Sequence, residues 1–222
     1  MQLFPVTTTV MLRLVRSIEQ ARVRLCLAGV AAAAIGLFMG AADMPATGGV
    51  PQYDKDGKLV FPADYRQWMF VSSSLDMSYT ENSPPPGVHI FNNVFVPREA
   101  YESFLKHGVW PDKTLLLTEH RAGAENLSIL KHGQIQTNIV GFEAHVKDRR
   151  FKDGWAFFAY VGELKPAREI SHDSDCYSCH LAHAAADTTF VQFYPTLLPV
   201  ATRLGTLSPA YLAETAAAAH PR

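Results

Sequence analysis

Two cysteines and a histidine near the C-terminus form the pattern with the most specific chemistry in this sequence. Cys176-Tyr177-Ser178-Cys179-His180 has the C-x-x-C-H spacing with which proteins attach c-type haem. Each thiol can add to one vinyl group of haem and form a thioether. Cysteines three residues apart on a helix face the same way, and the histidine that follows can present its imidazole to the iron. The motif therefore predicts one covalent haem c, with His180 as an iron ligand.

Three other uses of a cysteine pair compete with this interpretation. A structural zinc site would need two further cysteine or histidine ligands, and only His172 and His183 lie close in the sequence. A thioredoxin-like redox pair would follow a strand in a βαβ pattern, which the chain lacks. A disulfide between Cys176 and Cys179 would close a very short loop and stabilise the fold little. Each alternative thus lacks something that it needs: zinc lacks clear further ligands, the redox pair lacks its βαβ pattern, and the disulfide lacks a stabilising effect. Haem attachment is the favoured interpretation.

The second axial position of the iron has no obvious ligand in the sequence. Small electron-carrying cytochromes usually have the motif near the N-terminus and a methionine ligand later in the chain, whereas no methionine follows the motif here. Met44, Met69 and Met77 are better explained as core or loop residues. An open position indicates binding or chemistry of a small molecule rather than electron transfer alone. An electron carrier would need His89 or His172 to bind the iron.

The first 42 residues have the layout of a signal peptide. Four arginines, the last of them Arg24, precede an uncharged, alanine-rich run from Leu25 to Ala42. Small residues at the end of this run permit cleavage near Ala42 or Ala46. An uncleaved membrane anchor is the alternative, because about 18 apolar residues is the lower limit of a spanning length. The sequence thus predicts export to the periplasm, with a signal peptide or N-terminal anchor at residues 1–42.

Composition describes an ordinary globular protein of 222 residues, of which 48% are hydrophobic and 18% charged. This is enough chain for one core, and we expect a single domain at residues 43–222. That domain is mildly acidic, because four of the basic residues but only one acidic residue lie before it. It has no basic stripe, so nucleic acid and anionic membrane surfaces are not favoured as partners.

Strand patterns dominate the middle of the chain, and helix patterns its end. Strands are predicted at 88–96, 114–120, 135–146 and 155–161, and a helix at 98–107 is framed by Pro97 and Gly108. Helices rich in alanine and leucine are predicted at 176–186, 195–204 and 208–220. A helical turn is expected at 65–70, with further turns at 122–123 and 153–154. Strands followed by helices predict an α+β fold: an antiparallel β-sheet domain with peripheral helices and a C-terminal haem c attachment helix.

Four further segments are typical of one known family. They are PADYRQW at 62–68, GFEAHVKD at 141–148, WAFF at 155–158 and FVQFYP at 190–195. Together with the C-terminal motif and the strand-rich body, they resemble the cytochrome P-460 family, which includes the cytochromes c′-beta. The resemblance implies a β-sheet fold with the haem packed on it, a homodimer and a periplasmic location. Family enzymes oxidise hydroxylamine, whereas the c′-beta members bind nitric oxide.

One departure from the family pattern bears on its two activities. The enzymes carry a lysine that is cross-linked to the porphyrin, at the end of the strand after a Gly-x-aromatic-x-Asp-x-Thr pattern. The matching stretch, residues 108–119, has Thr118 where that lysine is expected. Lys113 and Lys131 are the nearest lysines, and both are interpreted as exposed turn residues. The resemblance favours binding of nitric oxide or a similar small nitrogen ligand, with hydroxylamine oxidation and electron transfer to a redox partner cytochrome as alternatives.

Candidates for the distal side of the haem come from several segments. His89 and Asn92 lie in the first predicted strand, Thr118 in the next, and His172 in the polar loop before the motif. A distal role would require each to come within hydrogen-bond reach of an iron ligand. Glu143 and Arg121 are interpreted instead as sheet or interface residues. The apolar shell around the porphyrin is expected from four aromatic residues, namely Phe157, Phe158, Phe193 and Tyr194.

Overall fold

A computed structural model describes residues 48–79 and 84–219. Within these residues, five strands form one sheet in which each strand is antiparallel to its neighbours in chain order. The strands are β1 (Met69–Leu75), β2 (Ile90–Val96), β3 (Leu115–Ala124), β4 (Ile135–Lys147) and β5 (Trp155–Tyr160). The helices are α1 (Arg98–His107), α2 (Asp175–His183), α3 (Leu198–Leu204) and α4 (Pro209–Ala219). The predicted α+β fold with an antiparallel sheet is confirmed.

Both faces of the sheet carry a core, because successive side chains of a strand point to opposite sides. Leu116 packs on one face with residues such as Phe104 of α1 and Val200 of α3. Leu115 and Leu117 pack on the other face with aromatic residues of β4, β5 and the segment before β1. On the face that carries Leu116, the next two side chains along β3 are the polar Thr118 and His120. The candidate site lies on this polar half of the face.

Helix α1 has the bounds that its flanking residues predict. Pro97 stands at the N-cap, and Gly108 ends the helix with φ 70° and an N–H that donates to the carbonyl oxygen of Phe104. A side chain at position 108 would be strained by this positive φ, and its Cβ would lie 2.5 Å from Thr206 Oγ1. Glycine is therefore required there both by the backbone and by the close approach of the C-terminal segment.

Strand β1 was not predicted from the sequence, and the helical turn expected at 65–70 is correct only in its first half. A 3₁₀ helix covers Tyr65–Gln67, after which the chain enters β1. Three consecutive serines occupy the middle of this edge strand, and serine is not among the residues enriched in strands. Pairing with β2 therefore decides its conformation, rather than the preference of its own residues.

The turn predicted at 122–123 is wrong, because these residues continue β3, and the chain reverses only beyond Ala124. Gly123 is needed in the strand since a Cβ there would lie 2.8 Å from His89 Cβ.

Smaller corrections concern the ends of helices and strands. Helices predicted at 176–186, 195–204 and 208–220 run over Asp175–His183, Leu198–Leu204 and Pro209–Ala219, with residue 220 outside the described part, and the last strand ends at Tyr160 rather than at 161.

The predicted signal peptide or anchor at residues 1–42 lies outside the described residues. In the part of the chain that the structure describes, no helix is both long and apolar enough to cross a membrane.

Candidate functional site

The C-x-x-C-H motif lies in helix α2 beside the polar half of the sheet. Cys176 and Cys179 are free thiols, and Cys176 is exposed, so the disulfide alternative is not what the structure forms. Both sulfur-bearing side chains border a cavity of about 300 Å³ that His180 also lines. Much of its apolar wall is formed by four side chains, those of Phe157, Phe158, Ile170 and Phe190. Two thiols and an imidazole thus converge on one apolar space, which is the donor set that c-type haem requires.

The ring of His180 is held in one orientation by a backbone carbonyl. His180 Nδ1 lies 2.8 Å from the carbonyl oxygen of Thr188, and the residue is buried. A carbonyl oxygen only accepts hydrogen bonds, so Nδ1 carries the proton and Nε2 keeps its lone pair. A neutral imidazole with an anchored Nδ1–H is the usual form of a metal-binding histidine. His180 therefore has the geometry of an iron ligand.

Aromatic rings surround His180 on several sides. The ring centroid of His145 lies 4.7 Å from it in an edge-on arrangement, and the centroids of Phe157 and Phe190 lie 4.7 Å and 4.2 Å away. Burial lowers the pKa of His180, and burial together with the neighbouring His180 lowers the pKa of His145 to about 3. Both imidazoles are consequently uncharged at neutral pH, which suits an apolar cofactor.

A second cavity, of about 260 Å³, lies over the polar half of the sheet and shares His180 with the first. Strands β2, β3 and β4 contribute five of its polar lining residues, which are Asn92, Thr118, His120, Glu143 and His145, and β1 adds Ser72 and Ser74. These residues come together because alternate positions of each strand share a face, while the register pairs Asn92 with His120 and Thr118 with Glu143. The two cavities together form the candidate haem site.

A hydrogen-bonded chain of polar groups crosses the second cavity. His120 Nδ1 lies 2.7 Å from Asn92 Oδ1, while Asn92 Nδ2 donates to Ser74 Oγ over 3.3 Å. The other nitrogen of His120, Nε2, lies 3.8 Å from Glu143 Oε2. The interaction with His120 holds the pKa of Glu143 below its usual range, so the carboxylate is ionised at neutral pH. The cavity wall thus offers groups that can accept a proton or a hydrogen bond.

The structure brings two of the four distal candidates to the cavity and leaves two outside its lining. Asn92 and Thr118 line it. His89 instead pairs with Asp76, with Nδ1 2.7 Å from the carboxylate oxygen, and this hydrogen bond raises the pKa of His89. His172 stacks on Tyr177 with ring centroids 3.9 Å apart, and its Nε2 lies 3.1 Å from a carboxylate oxygen of Glu169.

Sequence reasoning did not assign to the haem site three polar cavity residues of β3 and β4, namely His120, Glu143 and His145. Glu143, for which the sequence predicts a role in the sheet or an interface, lines the cavity from its place on β4. The signal that could have found them is the period of two, since His120 follows Thr118, and His145 follows Glu143, on the same face of a strand. Arg121 points to the opposite face, where its Nε donates to the buried Glu119 carboxylate over 2.7 Å.

Of the aromatic residues expected around the porphyrin, Phe157 and Phe158 line the first cavity, and Phe193 and Tyr194 the second. Neither nearby lysine lines these cavities. Lys113 Nζ lies 2.6 Å from a carboxylate oxygen of Asp148, and Lys131 borders a separate surface pocket. Among the described residues, no cluster of three or more histidine, cysteine or acidic side chains is placed to hold a metal ion, as a structural zinc site would need.

Comparison with known families gives one match. A sequence model of the cytochrome P-460 family matches residues 62–191, which is more than half of the chain. The matched segment contains the whole sheet and helix α2, and with them the residues of both cavities except Phe193 and Tyr194. No curated protein sequence matches the chain significantly.

Proposed function

The chain belongs to the cytochrome P-460 family of haem proteins, and we propose that it carries one haem c bound through Cys176 and Cys179, with His180 as the proximal iron ligand. The hydrogen bond between His180 Nδ1 and the carbonyl oxygen of Thr188 is the observation that carries this proposal. It leaves Nε2 free to bind iron in the same apolar space that the two free thiols border. When bound, the haem supplies an iron centre that can take a small ligand or exchange an electron.

Binding of nitric oxide or a similar small nitrogen ligand at an open distal position is the function that we propose for this site. The polar lining of the second cavity supports it, because Asn92, Thr118 and His120 offer hydrogen-bonding groups on the sheet face. Electron transfer with both axial positions filled has less support, since His89 and His172 both pair with carboxylates. Such a carrier would need another axial ligand from the cavity lining, where Met77, His120 and His145 carry groups that can bind iron.

Oxidation of hydroxylamine is the second candidate, and Glu143 is the observation in its favour. An ionised carboxylate beside the cavity can accept protons from a bound N–H or O–H group, as this oxidation requires. Thr118 argues against it, because threonine cannot form the covalent bridge that the lysine of the family enzymes makes. Lys113 is held by Asp148 and gives no substitute.

The proposal includes a location and partners. We place the protein in the periplasm, delivered by a cleaved signal peptide at residues 1–42 or held there by an uncleaved anchor. We further propose a homodimer, as the family resemblance implies. If the iron exchanges electrons, a cytochrome is the class of redox partner expected.

The mass of the intact protein distinguishes the binder from the enzyme. We expect the mass of the processed polypeptide plus one haem, without the loss of hydrogen that a further bond to the porphyrin would cause. Because Thr118 cannot make that bond, hydroxylamine turnover should be slow or undetectable, whereas the ferrous protein should bind nitric oxide. A Thr118→Val variant, which replaces the hydroxyl by a methyl group, should likewise have the mass of its own polypeptide plus one haem. Peptide mapping that finds Lys113 or Lys131 bonded to haem would contradict the proposal and favour the enzyme.

A further inference from the structure

The carbonyl oxygen that orients His180 belongs to a turn with an unusual backbone. Asp187 and Thr188 have φ values of 48° and 58°, in the left-handed region that residues other than glycine seldom adopt. Threonine is especially disfavoured there because its β-carbon is branched. Such a conformation persists only where the surrounding structure holds it. The position of the Thr188 carbonyl therefore depends on what holds the residues on either side of it.

Both neighbours of Thr188 are held by two residues, Trp110 before β3 and Lys147 at the end of β4. The carboxylate oxygen Oδ2 of Asp187 accepts a hydrogen bond from the backbone N–H of Trp110 over 2.7 Å and one from Lys147 Nζ over 2.6 Å. Lys147 Nζ also donates to the carbonyl oxygen of Trp110 over 2.7 Å. On the other side of the turn, Trp110 Nε1 donates to Thr189 Oγ1 over 2.9 Å. These bonds fix the turn from two directions.

The residues that form these bonds are largely shielded from water. Trp110 and Thr189 are 1% exposed, and the side chains of Lys147 and Asp187 are 23% and 14% exposed. Hydrogen bonds and ion pairs shielded from water hold a geometry better than the same pairs on an open surface. Lys147 also lies on the strand that carries Glu143 and His145, so the element that lines the cavities also holds the turn behind His180.

We propose that Trp110, Lys147 and Asp187 form a proximal clamp that positions His180 and sets the strength of its bond to iron. This inference rests on the proposed function, because it requires His180 to be the iron ligand. The clamp holds the turn, the turn aims the Thr188 carbonyl, and the carbonyl accepts the Nδ1–H hydrogen bond. An acceptor at Nδ1–H increases the basicity of the imidazole and so favours ferric over ferrous iron. Loosening the clamp should weaken the iron–histidine bond and raise the reduction potential.

Resonance Raman spectroscopy of the ferrous protein and measurement of its midpoint potential test the clamp. Lys147→Met and Asp187→Ala should each shift the iron–histidine stretching band to lower frequency and raise the potential, while the intact mass still shows covalent haem. Asp187→Asn keeps an acceptor for the Trp110 N–H and tolerates a left-handed backbone, so its shifts should be smaller. Lys147→Arg, which keeps the charge, should restore most of the wild-type values.

Lys113→Met is the matched control, because it removes an ion pair of similar length, Lys113 to Asp148 at 2.6 Å, without touching the turn. Its band and potential should equal those of the wild type. Unshifted values in Lys147→Met and Asp187→Ala would overturn the clamp, as would an equal shift in the control. The absence of any iron–histidine band from the wild-type protein would instead contradict the proposed function, in which the ferrous iron has His180 as its one axial ligand and an open position opposite. The two failures are thus distinguishable.

Discussion

Replacing Cys176 and Cys179 together by alanine is expected to abolish covalent haem attachment, so that acid acetone strips all pigment from the purified protein. The two thiols are the only ones near the candidate haem site among the described residues, and both border the cavity that His180 lines. Without them no sulfur can add to the vinyl groups, and any haem that remains is held by non-covalent contacts alone. Each single variant should retain attached haem through its remaining thioether.

Ser178→Ala provides the control for the cysteine variants. Ser178 is exposed on the same helix, between the two cysteines, and its hydroxyl donates only to the carbonyl oxygen of Asp175 over 3.1 Å. Its loss should leave haem content and extraction behaviour unchanged. Haem that resists acid acetone in the double cysteine variant would show that the motif does not attach it.

Replacing His180 by alanine is expected to leave haem covalently attached but without its proximal ligand. The visible spectrum should change in both oxidation states, because the iron loses its imidazole. The free energy of unfolding of the polypeptide should fall by about 1–3 kcal/mol, because the carbonyl oxygen of Thr188 loses the hydrogen bond that the His180 ring donates to it. Absorption spectra and denaturant unfolding of the purified variant measure the two effects.

His183→Ala is the matched control for this variant. His183 lies one turn further along α2 and pairs with Glu214, with 3.1 Å between Nδ1 and the carboxylate and both side chains more than half exposed. A pair so exposed contributes little to stability. We therefore expect a wild-type spectrum and nearly wild-type unfolding. An unchanged spectrum in His180→Ala would mean that another residue ligates the iron.

The parts of the fold that the sequence could predict are those whose signals are local. Helix α1 is specified by Pro97 and Gly108 at its own ends, and the attachment motif is a run of five residues. Strand β1 has no such local signal, because its serines become a strand only through pairing with β2. The sequence therefore indicates local elements better than elements created by their neighbours.

The candidate site shows the same division. Strand alternation puts positions 89 and 92 on opposite faces, so at most one of His89 and Asn92 could reach a given cavity, but only the sheet register shows that it is Asn92. The clamp joins Lys147 to Asp187, forty residues later in the chain. It orients His180 through the backbone carbonyl of Thr188. Because every residue has a backbone carbonyl, the residue type at this position does not predict the contact.

Absorption spectra of the purified, reduced protein, recorded before and after addition of nitric oxide, test the central claim most directly. A c-type haem with His180 on one side and an open position facing Asn92 and His120 should give a high-spin spectrum that shifts when nitric oxide binds. A low-spin spectrum that nitric oxide does not alter would mean that both axial positions are filled. That result would contradict an open ligand site and identify the protein as an electron carrier.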